Sequence, residues 1–134
     1  MAIIWTKEIE TGNDLIDSEH KELFAKINAF LEACSQGKGR SEILNTLEFL
    51  KSYTATHFDH EENLLKESGY PDYLRHKQLH VLFNQSVDKI EKKFLAEGAS
   101  VVLVGEINQN IGNWLMAHIK AEDMKFGKFL ADKG

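Results

Sequence analysis

The stretch YPDYLRHKQLHVLFNQSVDKIEKKF, residues 70–94, decides how this chain folds. The only proline of the chain stands near its start, and a set of mostly apolar side chains then recurs at alternating steps of three and four residues. That spacing places them on one face of a helix. The positions are Tyr73, His76, His80, Phe83, Val87, Ile90 and Phe94. A helix with one apolar face packs against other helices, and here two histidines lie within that face.

Comparable faces recur before and after this stretch, separated by glycines. We therefore predict an all-α fold, an antiparallel up-down-up-down four-helix bundle with an N-terminal arm, in a single domain over residues 1–134. Asp17 is the expected N-cap of the first helix, and Pro71 is expected in the first turn of the third. The predicted segments are an arm over 1–17 and helices over about 18–36, 41–66, 71–96 and 100–130.

Composition narrows the class of protein. The 134 residues are 43% hydrophobic and 28% charged, with a net charge of −5, which is typical of a soluble globular protein. No cluster of lysine and arginine predicts a nucleic-acid partner, and no apolar run approaches the roughly 20 residues that cross a membrane. Cys34 is the only cysteine, so no internal disulfide is possible, and we expect a core residue in a cytoplasmic protein.

Five of the six histidines and two carboxylates have the spacing of a metal site. A histidine four residues from its partner lies one turn away on the same helix face, so both side chains reach the same point. Imidazole and carboxylate ligands in this ratio favour iron, zinc or copper over calcium or magnesium. The candidate ligands are His20, His57, Glu61, His76, His80, His118 and Asp123.

The depth of these residues in the bundle can be compared. In an antiparallel hairpin, residues equally far from the turn lie at the same height. Candidate ligands on successive helices are symmetric about the connections that glycine and proline predict. The pairs are His20 and His57 about 37–39, Glu61 and His76 about 68–69, and His80 and His118 about 99. The sequence therefore predicts one layer of ligands.

The last helix contains an irregularity. His118 and Asp123 are five residues apart, which is about 140° around a regular helix, whereas Glu122 would be in register. The apolar face also shifts by one residue after His118, since Phe126 and Leu130 then continue it. We predict a π-type bulge between His118 and Asp123, a feature frequent at functional sites.

Seven ligands are too many for one tetrahedral zinc ion and suit two metal ions. Two six-coordinate irons offer about twelve positions. The five imidazoles, two bridging carboxylates and one bridging oxo or hydroxo group leave one position, and dioxygen is the expected ligand there. The oxygen-activating di-iron bundles use more carboxylates than this site, so the ligand set favours reversible binding over oxidation of a substrate.

Taken together these segments resemble the hemerythrins, in particular the single-domain bacterial members. The matching segments are IDSEHKELF at 16–24, HFDHEE at 57–62, YPDYLRHKQLH at 70–80 and WLMAHIKAED at 114–123. The resemblance implies that one iron is bound by His76, His80 and His118, and a second, oxygen-binding iron by His20 and His57. It implies that Glu61 and Asp123 bridge the two with an oxo or hydroxo group, and that the arm containing Trp5 packs across the bundle.

Several functions remain open at this point. The leading interpretation is a non-enzymatic protein that binds dioxygen for storage, transport or delivery, as a monomer. The alternatives are an oxygen or redox sensor that acts through a protein partner, a di-iron enzyme with peroxidase-like, nitric-oxide-handling or iron-repair activity, and plain zinc or iron storage. His60 is expected at the surface or next to a ligand, and Glu62 and Glu122 are expected at the surface.

Overall fold

The computed structural model describes residues 3–133, and four long helices dominate this part of the chain. Each helix packs against its neighbours in sequence, and the first also packs against the last, which closes a four-helix bundle. The predicted all-α bundle is confirmed, and no strand occurs within the described residues. The helices are α1 (Asp14–Ser35), α2 (Arg40–Glu67), α3 (Tyr73–Glu97) and α4 (residues 101–133).

Left-handed glycines end the first two helices. Gly37 has φ 64°, the Lys38 amide donates to the Ala33 carbonyl at 3.0 Å, and the Gly37 amide donates to Cys34 at 3.2 Å. Gly69 ends α2 in the same way. This is the Schellman motif, which satisfies the last carbonyls of a helix and turns the chain sharply. The predicted connections are therefore short and are located where the glycines indicated.

Two predicted boundary details are wrong. Helix α1 begins at Asp14 rather than 18, because the side chain of Asn13 caps it by accepting from the Ile16 amide at 3.0 Å. Asp17, the predicted N-cap, lies inside the helix and accepts from the Thr11 amide and hydroxyl at 2.8 and 2.7 Å. Pro71 lies in the turn before α3, not in its first turn.

The N-terminal arm is fixed to the bundle at both of its ends. The amide and carbonyl of Ile3 bond the side-chain amide of Asn28 on α1, at 3.0 and 2.9 Å. Near the other end, Thr11 lies directly against Gly127 of α4, where a β-carbon would come within 2.3 Å of the Thr11 carbonyl oxygen. Only glycine leaves room for this approach. Residues 1 and 2 of the predicted arm lie outside the described residues.

Helix α4 contains two π segments. One covers Ile119–Asp123, which confirms the bulge predicted there, and the other covers Asn108–Asn113 and was not predicted. From Leu103 to Ile119, the buried apolar residues of α4 recur at every fourth position, as Leu103, Ile107, Ile111, Leu115 and Ile119. On a regular helix each step of four turns the side chain by about 40° away from the core. The two wider turns offset that rotation.

The buried apolar residues form a larger and a smaller cluster. The larger one fills most of the bundle interior. The smaller one lies near the α2–α3 turn and consists of Ile16, Leu65, Tyr70 and Phe126. In the sequence, the predicted ligands of each helix fall where the residues of one cluster give way to those of the other, with Phe58 and Ile119 of the larger cluster interspersed among them. A buried polar layer therefore separates them. Among the described residues, no helix is long and apolar enough to cross a membrane.

Candidate metal centre

The structure brings all seven predicted ligands together in the buried polar layer. Each is at most 5% exposed. Their nitrogen and oxygen atoms form two groups, in each of which the atoms lie within 4.8 Å of one another. The first group is Glu61, His76, His80, His118 and Asp123, and the second is His20, His57 and Glu61.

Glu61 belongs to both groups because its two oxygens face opposite ways. Its Oε1 lies 2.6 Å from His76 Nε2 and 3.2 Å from His80 Nε2. Its Oε2 lies 3.3 Å from His57 Nε2 and 3.6 Å from His20 Nε2. One carboxylate thus faces two imidazoles on each side, which is the geometry that a bridging ligand requires.

The two carboxylate oxygens of Asp123 likewise face different histidines. Its Oδ1 lies 2.9 Å from His76 Nε2 and 3.2 Å from His118 Nε2, and its Oδ2 lies 3.0 Å from His20 Nε2. The π segment Ile119–Asp123 makes this possible, since it adds a residue between His118 and Asp123 and turns both inward. Two carboxylates therefore span the same pair of histidine groups.

The unpartnered polar atoms of the site fit a group that could hold a metal ion. Several of its polar atoms are fully buried and have no hydrogen-bond partner among the described residues, including both ring nitrogens of His20 and His118. Buried polar groups without partners are rare because they cost free energy. Nε2 of His80, Oε2 of Glu61 and Oδ1 of Asp123 share this state, and each lies within 3.3 Å of an atom of another predicted ligand. Nitrogen and oxygen donors of this kind suit iron.

The metal-free site is held by opposite charges. Burial alone would lower the pKa of His20 and His76, but the adjacent carboxylates of Asp123 and Glu61 raise these pKa values to about 9 and about 10. Burial would raise the pKa of Glu61, yet the four adjacent imidazoles hold that pKa well below its ordinary value. The imidazoles and carboxylates thus stabilise each other in the charged form.

Carboxylates outside the two groups hold the far nitrogens of two imidazoles. Glu19 accepts from His57 Nδ1 at 3.0 Å and from His60 Nδ1 at 2.7 Å, and Glu62 accepts from His80 Nδ1 at 2.8 Å. Such bonds orient a ligating imidazole and fix its tautomer. Reasoning from the sequence did not identify Glu19, and it placed Glu62 at the surface.

His60 is half exposed and bonds Glu19, so it lies beside the predicted ligand His57 rather than in either group, as expected. Glu122 differs from the expectation, because it is buried and bonds Arg75 at 2.5 Å. With this partner on the bundle exterior, Glu122 points away from the two histidine groups, and Asp123 takes the inward position.

Aromatic rings cover the flanks of the site. Phe58 stacks on His80 with ring centroids 3.7 Å apart and an interplanar angle of 1°. Trp114 stacks on His118 with ring centroids 5.0 Å apart and an interplanar angle of 9°. Phe58 is buried, and Trp114 is half-buried. These side chains exclude water from the imidazoles and limit how far the rings can turn.

Comparisons with known proteins agree with this geometry. A model of the family described as "Hemerythrin HHE cation binding domain" matches residues 11–130. The chain is 34% identical over 121 residues to a bacteriohemerythrin of Pseudomonas aeruginosa, covering 90% of this chain and 76% of that one. It is 32% identical to a bacteriohemerythrin of Methylococcus capsulatus, covering 98% and 99%. A crystal structure titled as wild-type hemerythrin superimposes with a TM-score of 0.83 at 30% identity, covering 96% and 97%.

Proposed function

Because this chain belongs to the hemerythrin family, we propose that it binds dioxygen reversibly at a pair of non-haem iron ions, for oxygen storage, transport or delivery. One observation supports this most. Glu61 and Asp123 each present one oxygen to a three-histidine group and the other to a two-histidine group. A site for one metal ion would not need carboxylates whose two oxygens face different histidine groups.

The two groups define what each ion would meet. His76, His80 and His118 would hold one iron, and His20 and His57 the other, with both bridging carboxylates serving the pair. A bridging oxo or hydroxo group would fill one further position on each ion. At six coordination this leaves one position, beside His20 and His57. Two ferrous ions would supply the two electrons that reversible binding of dioxygen needs.

The chain's own residues favour binding over turnover. Five of the seven ligands are neutral imidazoles, which place less negative charge on the metals than the carboxylate-rich sites of oxygen-activating enzymes. Phe58 is buried and packs against His57 and His80, where its apolar ring would keep water and protons away from bound oxygen. Both features slow irreversible oxidation of the iron.

A spectroscopic experiment tests the proposal. The iron-loaded protein is reduced under argon, exposed to oxygen, and returned to argon while the visible spectrum is recorded. We expect an absorption band that appears with oxygen and disappears under argon, together with two irons per chain by elemental analysis. One iron per chain, or a stable ferric spectrum with no reversible band, would contradict the proposal.

Substitutions test the ligand assignment. Glu61→Ala and Asp123→Ala should each sharply reduce the iron content, because each removes a bridge that both ions share. Asp59→Ala is the matched control, since it removes an exposed carboxylate from the same helix as Glu61, and it should retain two irons per chain. Loss of iron from the control variant alone would contradict the assignment.

A further inference from the structure

Glu19 supplies no atom to either ligand group, yet both of its carboxylate oxygens are in use. Oε1 accepts from His57 Nδ1 at 3.0 Å, and Oε2 accepts from His60 Nδ1 at 2.7 Å. The Glu19 side chain is only 9% exposed, so water has little access to it. The two histidines therefore determine how the carboxylate is oriented.

The bond to His57 determines which nitrogen of that ring can bind metal. A carboxylate can only accept, so the proton of the neutral ring lies on Nδ1 and the lone pair lies on Nε2. His57 Nε2 is the atom that faces Glu61 Oε2, at 3.3 Å. Glu19 thus holds His57 in the tautomer and the rotation that a metal ligand requires.

His60 completes this arrangement from the edge of the bundle. It follows His57 by three residues on α2, so the two rings lie on neighbouring positions of one helix face and reach across to α1. We propose that His60 is a positioning residue of the metal centre, which holds Glu19 in place and through Glu19 fixes the ring of His57. This inference rests on the proposed function, since it treats His57 as an iron ligand.

The other side of the centre provides a contrast. His80 is held by Glu62, whose side chain is 20% exposed, and among residues 3–133 no third side chain bonds that carboxylate. His57 belongs to the two-histidine group, which has fewer protein ligands than its neighbour. Misplacing one imidazole there removes half of the histidine ligands of that ion. His60 thus supports the two-histidine group, which has fewer ligands to lose than the three-histidine group.

The test compares how fast the ferrous protein loses iron to a chelator under argon. His60→Leu removes the donor and retains bulk, whereas His60→Asn keeps an N–H donor at the position of the imidazole Nδ1. We expect His60→Leu to bind two irons and to release them about two- to tenfold faster, the effect of one hydrogen bond. His60→Asn should stay within about twofold of the native rate by the same reasoning.

Glu19→Ala should accelerate release about ten- to a hundredfold, the usual effect of losing such a partner. Adding His60→Leu to Glu19→Ala should cause no further acceleration, because His60 acts through Glu19. Glu22→Ala is the matched control, since it removes a carboxylate from the same helix where the side chain is 54% exposed. It should release iron at the native rate.

A second measurement reports on the His57 ring directly. In the zinc-loaded protein, the ¹⁵N chemical shifts of His57 should show a protonated Nδ1 and a metal-bound Nε2. His60→Leu should broaden or shift these signals, and His60→Asn should restore them.

The outcomes separate the two proposals. If the native protein holds two irons but His60→Leu matches it in both measurements, the positioning role is wrong and the proposed function stands. Multiplying effects of His60→Leu and Glu19→Ala would also overturn the role. If the native protein takes up neither iron nor zinc, both proposals fail, and if it takes up zinc alone, the ring signals still decide the role of His60.

Discussion

Replacing Gly127 by alanine should destabilise this protein, although alanine is the better helix former. A β-carbon at Gly127 would lie 2.3 Å from the Thr11 carbonyl oxygen and 3.0 Å from the Thr11 β-carbon. Ordinary contacts of this kind are about 3.5 Å, so the arm must retreat by roughly 1 Å. Both atoms belong to the arm near its attachment to Asp17, and they cannot rotate away as the end of a flexible side chain could.

The loss of stability in Gly127→Ala is set by whichever of two structural responses costs less free energy. A local shift that accommodates the extra carbon costs about 1–3 kcal/mol, as overpacking usually does. Lifting the arm instead would break the two bonds from Thr11 to Asp17, each worth about 1.5–3 kcal/mol because the acceptor is charged. The local shift is therefore favoured. The helix propensity of alanine offsets up to about 1 kcal/mol of its cost.

Gly105 provides the control, since it lies in the same helix and is exposed, and a β-carbon there would meet nothing within 4 Å apart from its own stretch of helix. Gly105→Ala gains the same propensity without the clash. The two variants should thus differ by about 1–3 kcal/mol in free energy of unfolding, with Gly127→Ala the less stable. Urea unfolding followed by helical circular dichroism, in one metal state, measures this. Equal stability of the two variants would show that the arm does not pack against α4 at Gly127.

Three further predictions concern the arm, the cysteine and the site. Asp17→Ala should lower the free energy of unfolding by about 3–6 kcal/mol, because two bonds from Thr11 lose their charged acceptor, and an unchanged urea midpoint would contradict this. The Cys34 thiol is 3% exposed, and burial raises its pKa to about 11, so a thiol reagent at pH 8 should label it only after unfolding, as mass spectrometry can show. The pKa values of His20 and His76 are raised to about 9 and 10 in the metal-free fold, so their stabilising effect is complete below about 6.5 and is lost as the pH rises through those values. Urea unfolding of metal-free protein should therefore show falling stability from pH 7 to 10, and a rising profile would contradict the sign.

The common height of the candidate ligands could be predicted because the sequence itself specifies the turns between the helices. Gly37 and Gly69 end their helices through backbone geometry that few other residues adopt, so the height of each ligand followed from counting residues. The role of Asp17 could not be read in this way. Asn13 and Asp17 are equally good N-cap residues by type, and only the packing of Thr11 decides between them. Glu19 was missed because its direction depends on the rotation of α1 against α2.

The second π segment was missed although the sequence contains a signal for it. Leu103, Ile107, Ile111 and Leu115 follow each other at steps of four, with no step of three to restore the register. On a regular helix these three steps rotate the side chains by about 120° in total. All four are nonetheless buried, so a wider turn must lie among them. The π segment near His118 could be predicted because the candidate ligand Asp123 is out of register with His118 on a regular helix.

The buried polar layer divides the interior into two units of unequal size. The small cluster of Ile16, Leu65, Tyr70 and Phe126 borders the large one across side chains that attract each other through charge rather than through apolar contact. Iron bound in that layer would link the two units, because its ligands would come from all four helices. Metal loading should then couple the opening of the bundle end to global unfolding, and amide hydrogen exchange around Tyr70 would slow more than exchange in the large unit.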